Sequence, residues 1–192
     1  MPIYILLPDA RSEKVDMSEN GELRDLLGEF QDRAQARAKE MQAECIEKNQ
    51  VKSFIANRIN PFTSTPSLQI NVHANYQREK IYNEIVDFDL TDKKGRALGM
   101  QFFIYEYCNI KPTVNYADLS SGKWESIIEE ISLPFPVYEL DWHQMRAGKS
   151  FGALPSTKRP LYRTMDKAKA QFPIIKTQKI KEYQKKIAAG KV

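Results

Sequence analysis

Residues 81–108, IYNEIVDFDLTDKKGRALGMQFFIYEYC, hold two β-rich runs that are joined by a short polar segment. The runs cover residues 81–90 and 98–108, and they contain many of the β-branched and aromatic side chains that favour strands. Gly95 supplies the positive φ angle that a tight turn between strands requires. The stretch therefore predicts a long β-hairpin with a basic tip, which carries Lys93, Lys94 and Arg96.

Other segments of the chain also predict strands. Hydrophobic and polar residues alternate from Leu68 to Tyr76, which indicates a strand with one solvent-facing side. Residues 137–145 form another predicted strand, and the turn Arg146-Ala147-Gly148-Lys149 leads back into residues 150–154. This second hairpin again has cationic residues at its tip. A short apolar run at residues 3–7 predicts a further buried strand.

Hydrophobic residues at spacings of three and four predict a long α-helix from Ser18 to about Lys48. Residues 49–67 are expected to follow as an ordered loop, because Asn60-Pro61 and Thr65-Pro66 interrupt the helical period. The long helix is the clearest periodic element of the sequence, and its outer face is crowded with charged residues.

Further helices are expected in the second half of the chain. One begins near Ser120 or Ser121, and its apolar face is formed by Trp124, Ile127, Ile128 and Ile131. Thr164 caps a short helix near the C-terminus, and Pro173 is expected to interrupt it before a last helix at residues 174–189.

Because hairpins rather than strand-helix-strand units dominate the middle of the chain, the sequence predicts an α+β fold. We expect a single antiparallel sheet of four to six strands, with the long N-terminal helix packed on one face and basic C-terminal helices. The expected division is an α+β body, residues 1–173, and a basic C-terminal helix or tail, residues 174–192. An isolated helix of about 16 residues is marginal in water, so this tail is expected to fray until an anionic partner orders it.

The composition is that of a globular protein: of 192 residues, 42% are hydrophobic and 28% are charged. No apolar run approaches the roughly 18 residues of a membrane span, and residues 1–7 lack the basic flank of a secretory signal. Cys45 and Cys108 occur without a CxxC motif or a histidine cluster, as is typical of reduced thiols. We therefore expect a cytoplasmic protein without membrane contact.

The net charge of +4 conceals a strong asymmetry. Residues 1–150 hold 18 Lys and Arg against 23 Asp and Glu, whereas residues 151–192 hold 11 basic residues against two acidic ones. An acidic body with a basic end suggests an anionic partner, most often nucleic acid. The alternative is that these lysines only solvate a terminal helix.

Cationic residues cluster at the two hairpin tips, before the terminal helices and on the last helix, where they could contact phosphates. Phe151, Tyr162 and Tyr183 lie among them as candidate aromatics for stacking on bases or for packing in the core. Our first hypothesis is a non-enzymatic protein that docks on nucleic acid or a nucleoprotein complex. The candidate binding residues are Lys93, Lys94, Arg96, Arg146, Lys149, Lys158, Arg159, Arg163, Lys179, Lys185 and Lys186.

The run Arg146–Ala153, followed by Tyr162–Ala168, resembles small hairpin-plus-helix modules in proteins of phages and plasmids. The resemblance covers less than a fifth of the chain. It implies a phage or another mobile genetic element as the context of the protein.

A second hypothesis is an inhibitor or adaptor that contacts a host protein, for example in a host defence complex. Between Asp9 and Glu47, 11 acidic residues face six basic ones, which is enough to present a negative surface to a basic groove. The candidate residues of this acidic face are Glu22, Asp25, Glu29 and Asp32.

A third hypothesis is a metal-dependent enzyme that acts on phosphodiesters. Asp87 and Asp89 share one face of a strand and could bind a divalent cation, with Asp92 or Glu84 as a further oxygen ligand. An enzyme would also need a third carboxylate that converges from elsewhere in the chain. Only His73 and His143 offer near-neutral acid-base chemistry, and no nucleophile accompanies either in a recognisable motif. We therefore expect no catalytic activity and no cofactor.

Overall fold

The structure is a computed structural model that describes residues 14–59, 69–118, 121–151 and 159–191, with the backbone alone for residues 50–59, 150 and 151. The predicted strand at residues 3–7 and the predicted loop at residues 60–67 lie outside the described residues. The far end of the predicted strand at residues 150–154 also lies outside them.

The described chain forms two helices and six strands. The helices are α1, Asn20–Ile59, and α2, Met165–Ala188. The strands are β1, Ile70–Thr91; β2, Ala97–Ala117; β3, Trp124–Ile128; β4, Ile131–Arg146; β5, Lys149–Phe151; and β6, Leu161–Tyr162.

All six strands belong to one sheet, which confirms the predicted α+β fold with a single antiparallel sheet. The strand order is β1-β2-β4-β5, while β3 pairs with β2 and β6 pairs with β4. In the β2–β3 pair, Thr113 lies opposite Ile128, and in the β4–β6 pair, Tyr138 lies opposite Tyr162. Both predicted hairpins are present, and Gly95 has the expected positive φ angle of 72°.

The chain divides into two compact units. The first, which we call the α2 unit, comprises Met1–Gly21, Lys80–Tyr105 and Val137–Val192. The second, the α1 unit, comprises Glu22–Glu79 and Glu106–Pro136. Both hairpin tips therefore belong to the α2 unit.

Within the α1 unit, helix α1 packs its apolar side against the sheet. Met41 and Cys45 of the helix form a buried cluster with Val114 and Tyr116 of β2. The predicted apolar face is confirmed, since its buried members are Leu23, Phe30, Ala34, Ala38, Met41 and Cys45. α1 extends further than the sequence predicted, because residues 49–59 continue the helix instead of beginning a loop.

Within the α2 unit, helix α2 lies across β1, β2 and β4. Its buried residues Ala168, Ile175 and Tyr183 share one core cluster with Phe102 of β2 and Trp142 of β4. The Thr164 side chain caps the helix by accepting a hydrogen bond from the Lys167 backbone N–H, as the sequence predicted.

The predicted helix around Trp124 is wrong, because this segment is strand β3. Trp124 and Ile128 were expected to share a buried helix face, yet they are 57% and 58% exposed. In a strand, residues 124, 126 and 128 point to one side, so only Ile127 of this group packs on the core of the α1 unit. The β-branched pair Ile127-Ile128 suits a strand, and spacing alone could not separate the two structures.

Pro173 does not interrupt the C-terminal helix, contrary to the prediction of two short helices. It lies inside α2, where the loss of one N–H and the crowding of its ring cost about 3 kcal/mol. Burial of Ile175 and Tyr183 offsets this cost, because each fully buried large apolar side chain contributes roughly 1.5–3 kcal/mol. The segment from residue 174 onwards is therefore packed against the sheet, which differs from the expected frayed tail.

Candidate nucleic-acid interface

The turn between β1 and β2 is organised by one carboxylate, Asp92. Its side chain accepts hydrogen bonds from the backbone N–H groups of Lys94 and Arg96, both at 2.9 Å, and from the Arg96 guanidinium at 2.7 Å. The Asp92 side chain is only 3% exposed, because the turn folds around it. The hydrogen bonds from Arg96 hold the pKa of Asp92 at about 2. Lys93 and Lys94 remain at the exposed outer side of the turn.

The same carboxylate joins the second hairpin to the first. Arg146 Nε, at the end of β4, lies 3.5 Å from Asp92 Oδ2. The Ala147 backbone N–H donates a hydrogen bond of 2.8 Å to Ala97 O at the start of β2. The two basic hairpin tips therefore lie side by side at one end of the sheet, a point that the sequence left open.

The turn between β4 and β5 has two central residues with positive φ angles, 51° at Ala147 and 73° at Gly148. This is the pattern of a type I′ turn, whose twist matches that of the flanking strands. Arg146 and Lys149 pair across the turn. Lys149 is exposed, and the tight turn fixes the backbone that carries it.

The C-terminal end of α2 reaches the same place. A Cβ atom on Gly190 would lie only 3.8 Å from Lys93 Nζ. Lys186 lines a small cleft, of about 100 Å³, together with Trp142 and Gln144 of β4 and with Lys179 and Glu182 of α2. Lys185 and Lys186 are exposed on the last turn of the helix, and Lys191 follows directly.

We call these three segments, residues 91–96, 146–149 and 185–191, the basic tip. They carry eight cationic side chains, and Asp92 is the only carboxylate among them. The helix end adds a partial negative charge of roughly −0.5, which is small beside the excess of lysine and arginine. The cationic members are Lys93, Lys94, Arg96, Arg146, Lys149, Lys185, Lys186 and Lys191.

Seven of the eleven candidate binding residues thus come together at the basic tip, two others are engaged elsewhere, and Lys179 lies beside the tip, in the cleft that Lys186 also lines. Arg159 is nearly buried in ion pairs of 3.1 Å with Glu139 and Asp141. The Arg163 backbone N–H donates to Glu19. Lys179 pairs with Glu182 at 2.9 Å and lies over the ring of Trp142. Lys158 lies outside the described residues.

Two residues of the basic tip were not assigned to it from the sequence, since Asp92 was considered only as a possible metal ligand and Lys191 was not considered. Asp92 had a recognisable signal, because an Asp followed three positions later by Gly is a common turn pattern. Lys191 follows the helix-terminating Gly190, so its position at the end of α2 could have been deduced.

Two of the three candidate stacking aromatics are unavailable for stacking. Tyr162 and Tyr183 are each 1% exposed, and burial raises the pKa of both hydroxyl groups above the ordinary value. The structure describes only the backbone of Phe151, so this residue is not assessed. The described aromatic residues near the basic tip therefore belong to the core of the α2 unit.

The predicted acidic face lies on α1, in the α1 unit. All four of its carboxylates are exposed, and their spacing places them along one side of the helix. Burial, together with the nearby charge of Asp32, raises the pKa of Tyr76 to about 12. The four residues are Glu22, Asp25, Glu29 and Asp32.

Asp87 and Asp89 are exposed on β1. In the described part of the chain, no group of three His, Cys, Asp or Glu side chains is arranged to hold a metal ion. His73 is exposed, whereas His143 Nε2 lies 3.1 Å from Asp141 Oδ2. Asp141 also forms an ion pair with Arg159, which precedes β6 in the chain. This carboxylate on β4 therefore holds the segment before β6 in place.

Neither described helix combines the length and hydrophobicity that a membrane span requires. No family model, curated protein or solved structure matches the chain.

Proposed function

We propose that this protein binds nucleic acid, alone or within a nucleoprotein complex, without catalysing a reaction. The observation that carries the proposal is the convergence of three lysine-bearing segments at the basic tip. Lysines on separate elements would normally lie far apart on a surface, whereas here Asp92 and the Ala147–Ala97 hydrogen bond hold two turns together.

A phosphate backbone is the polyanion that such a surface suits. Each phosphate that a lysine neutralises releases condensed counterions, so binding through several lysines is strong at low salt and falls steeply as salt rises. Arg96 and Arg146 are engaged with Asp92 and mainly set the geometry. The exposed lysines of the two turns and of the end of α2 supply the contacts.

A cytoplasmic location fits this function. Cys45 and Cys108 are both free thiols, as is usual in a reducing compartment where nucleic acid is also accessible.

A charge-matched pair of variants tests the proposal. One variant carries Lys93→Gln, Lys94→Gln and Lys149→Gln in the basic tip. The control carries Lys39→Gln, Lys48→Gln and Lys123→Gln, which are exposed in the α1 unit, so the net charge changes equally. Circular dichroism and urea denaturation establish that both variants fold.

We expect the basic-tip variant to bind labelled nucleic acid about a hundredfold more weakly than the wild-type protein, since three phosphate contacts are lost. The control variant should bind within about threefold of wild type. Equal losses in the two variants would show that overall charge, and not the basic tip, governs binding. No retention of nucleic acid by the wild-type protein at low salt would refute the proposal.

The exposed acidic face of α1 supports a second candidate function, an adaptor or inhibitor that contacts a basic host protein. Its four carboxylates form one stripe on a long helix, as a helix that docks in a basic groove would require. Charge reversal at Glu22, Asp25, Glu29 and Asp32 should abolish partner capture in this case and leave nucleic-acid binding intact. Capture that survives the reversal but is lost in the basic-tip variant would contradict this candidate.

A further inference from the structure

We infer that the nucleic acid bound by the basic tip is duplex DNA, and that the two turns contact phosphates on opposite sides of one groove. The inference rests on the proposed function and specifies its substrate class. Three features of the α2 unit support it: the spacing of the turns, the type of exposed cation and the burial of the described aromatic residues.

The spacing of the turns follows from the strand order. β2 and β4 are neighbours, so the β1–β2 turn and the β4–β5 turn are centred two strand spacings apart. Two spacings amount to about 10 Å, and the major groove of B-form DNA is about 12 Å wide. Lys94 on one turn and Lys149 on the other can therefore reach phosphates of different strands. The last turn of α2 provides a third set of lysines to one side.

The exposed lysines of the basic tip favour backbone contact over base recognition. Asp92 engages both Arg96 and Arg146, the two residues of the basic tip whose planar groups could read a base edge or stack on a base. The remaining cations are lysines, which act as point charges on phosphates. The affinity expected from this surface is largely independent of sequence.

Single strands are usually held by stacking their bases on exposed aromatic side chains. Tyr183 and Tyr162 are buried, and Trp142 is covered on one side by the Lys179 ammonium. These described aromatic residues around the basic tip thus stabilise the core. A rigid duplex needs no stacking platform, because its phosphates already stand at fixed spacing.

Fluorescence anisotropy of the full chain with three probes of one sequence tests the inference. The probes are a DNA duplex of about 20 base pairs, two helical turns, one of its single strands, and the corresponding RNA duplex. We expect the Kd for the DNA duplex to be about tenfold lower than for either alternative. We also expect Lys149→Gln to weaken duplex binding measurably, and the pair Lys93→Gln with Lys94→Gln to weaken it further, because one phosphate contact is lost in the first variant and two in the second.

Equal or tighter binding of the single strand or of the RNA duplex would overturn the inference while leaving the proposed function in place. Phe151→Leu, which removes the aromatic ring and keeps an apolar side chain, should leave duplex binding unchanged. A large loss in that variant would indicate stacking and would also overturn the inference. Absence of binding to all three probes would instead refute the proposed function itself.

Discussion

Replacement of Tyr183 by alanine should destabilise the α2 unit strongly. Tyr183 is 1% exposed, and its ring packs on Phe88 of β1 with the centroids 5.6 Å apart. Truncation of a large buried aromatic residue typically costs about 3–5 kcal/mol, a large part of the total stability of a domain. The exposed neighbour Gln184 provides the control, because its change to alanine should stay within about 0.5 kcal/mol.

Tyr183→Phe should have the opposite effect to Tyr183→Ala. The Tyr183 hydroxyl is buried and has no hydrogen-bond partner among the described residues. A buried polar group without a partner costs about 1–3 kcal/mol. Its removal should therefore leave stability unchanged or raise it by about 1 kcal/mol, while the packing of the ring is retained.

Urea denaturation followed by tryptophan fluorescence separates these outcomes. The chain contains two tryptophans, Trp142 in the α2 unit and the exposed Trp124 in the α1 unit. In a Trp124→Phe background, the remaining signal reports the unit that contains Tyr183. A Tyr183→Ala variant within about 0.5 kcal/mol of its parent would refute the packing of α2, and would restore the expectation of a frayed tail.

Four further predictions concern two glycines, one on β2 and one on α1, and two residues of the hairpin turns. Gly99→Ala should destabilise the α2 unit by about 1–3 kcal/mol, because the new Cβ atom would lie 2.6 Å from Val86 O. Gly28→Ala should instead stabilise the protein by about 0.5–1 kcal/mol, because Gly28 lies on α1 with open space around it. Urea denaturation midpoints measure both effects. Ala147→Gly should stabilise the β4–β5 turn by about 1 kcal/mol, since alanine at a φ angle of 51° is strained, and an unchanged or lower thermal midpoint would contradict this. The pKa of Asp92 is lowered from 3.8 to about 2. The stability that the ionised side chain contributes is therefore present above about pH 4 and is lost as the pH falls towards 2. The Asp92→Asn variant has no such carboxylate, so it should lose less stability over that pH range than the wild-type protein.

Much of the fold could be predicted from the sequence, because its signals are periodic and local. The spacing of apolar residues predicts helix α1. The turn residues predict both hairpins, and Thr164 predicts the start of α2. The single antiparallel sheet follows from the order of these elements. These features do not depend on distant residues.

The errors arose where tertiary packing decided between local alternatives. Trp124, Ile127 and Ile128 fit a helix face by spacing, yet pairing with β2 makes them a strand. Pro173 carries a strong local signal for a helix break, which the burial of Tyr183 overrides. Intrinsic propensity is a weak guide wherever such packing is available.

The members of the candidate site could be identified from charge alone, but their convergence could not. Arg146 and Asp92 are distant in sequence, and only the strand order brings their side chains within 3.5 Å. Charge also failed to show that Arg159 is engaged in ion pairs with Glu139 and Asp141. A cluster of basic residues in a sequence does not by itself distinguish a phosphate contact from an ion pair within the protein.

The salt dependence of nucleic-acid binding tests the central claim most directly. The slope of log K against log salt concentration reports the number of phosphates neutralised, at about 0.9 per contact on a duplex. If Lys93, Lys94 and Lys149 contact phosphates, their joint replacement by glutamine should make the slope shallower by about 2.7. An unchanged slope in that variant would contradict the assignment of the basic tip as the nucleic-acid interface.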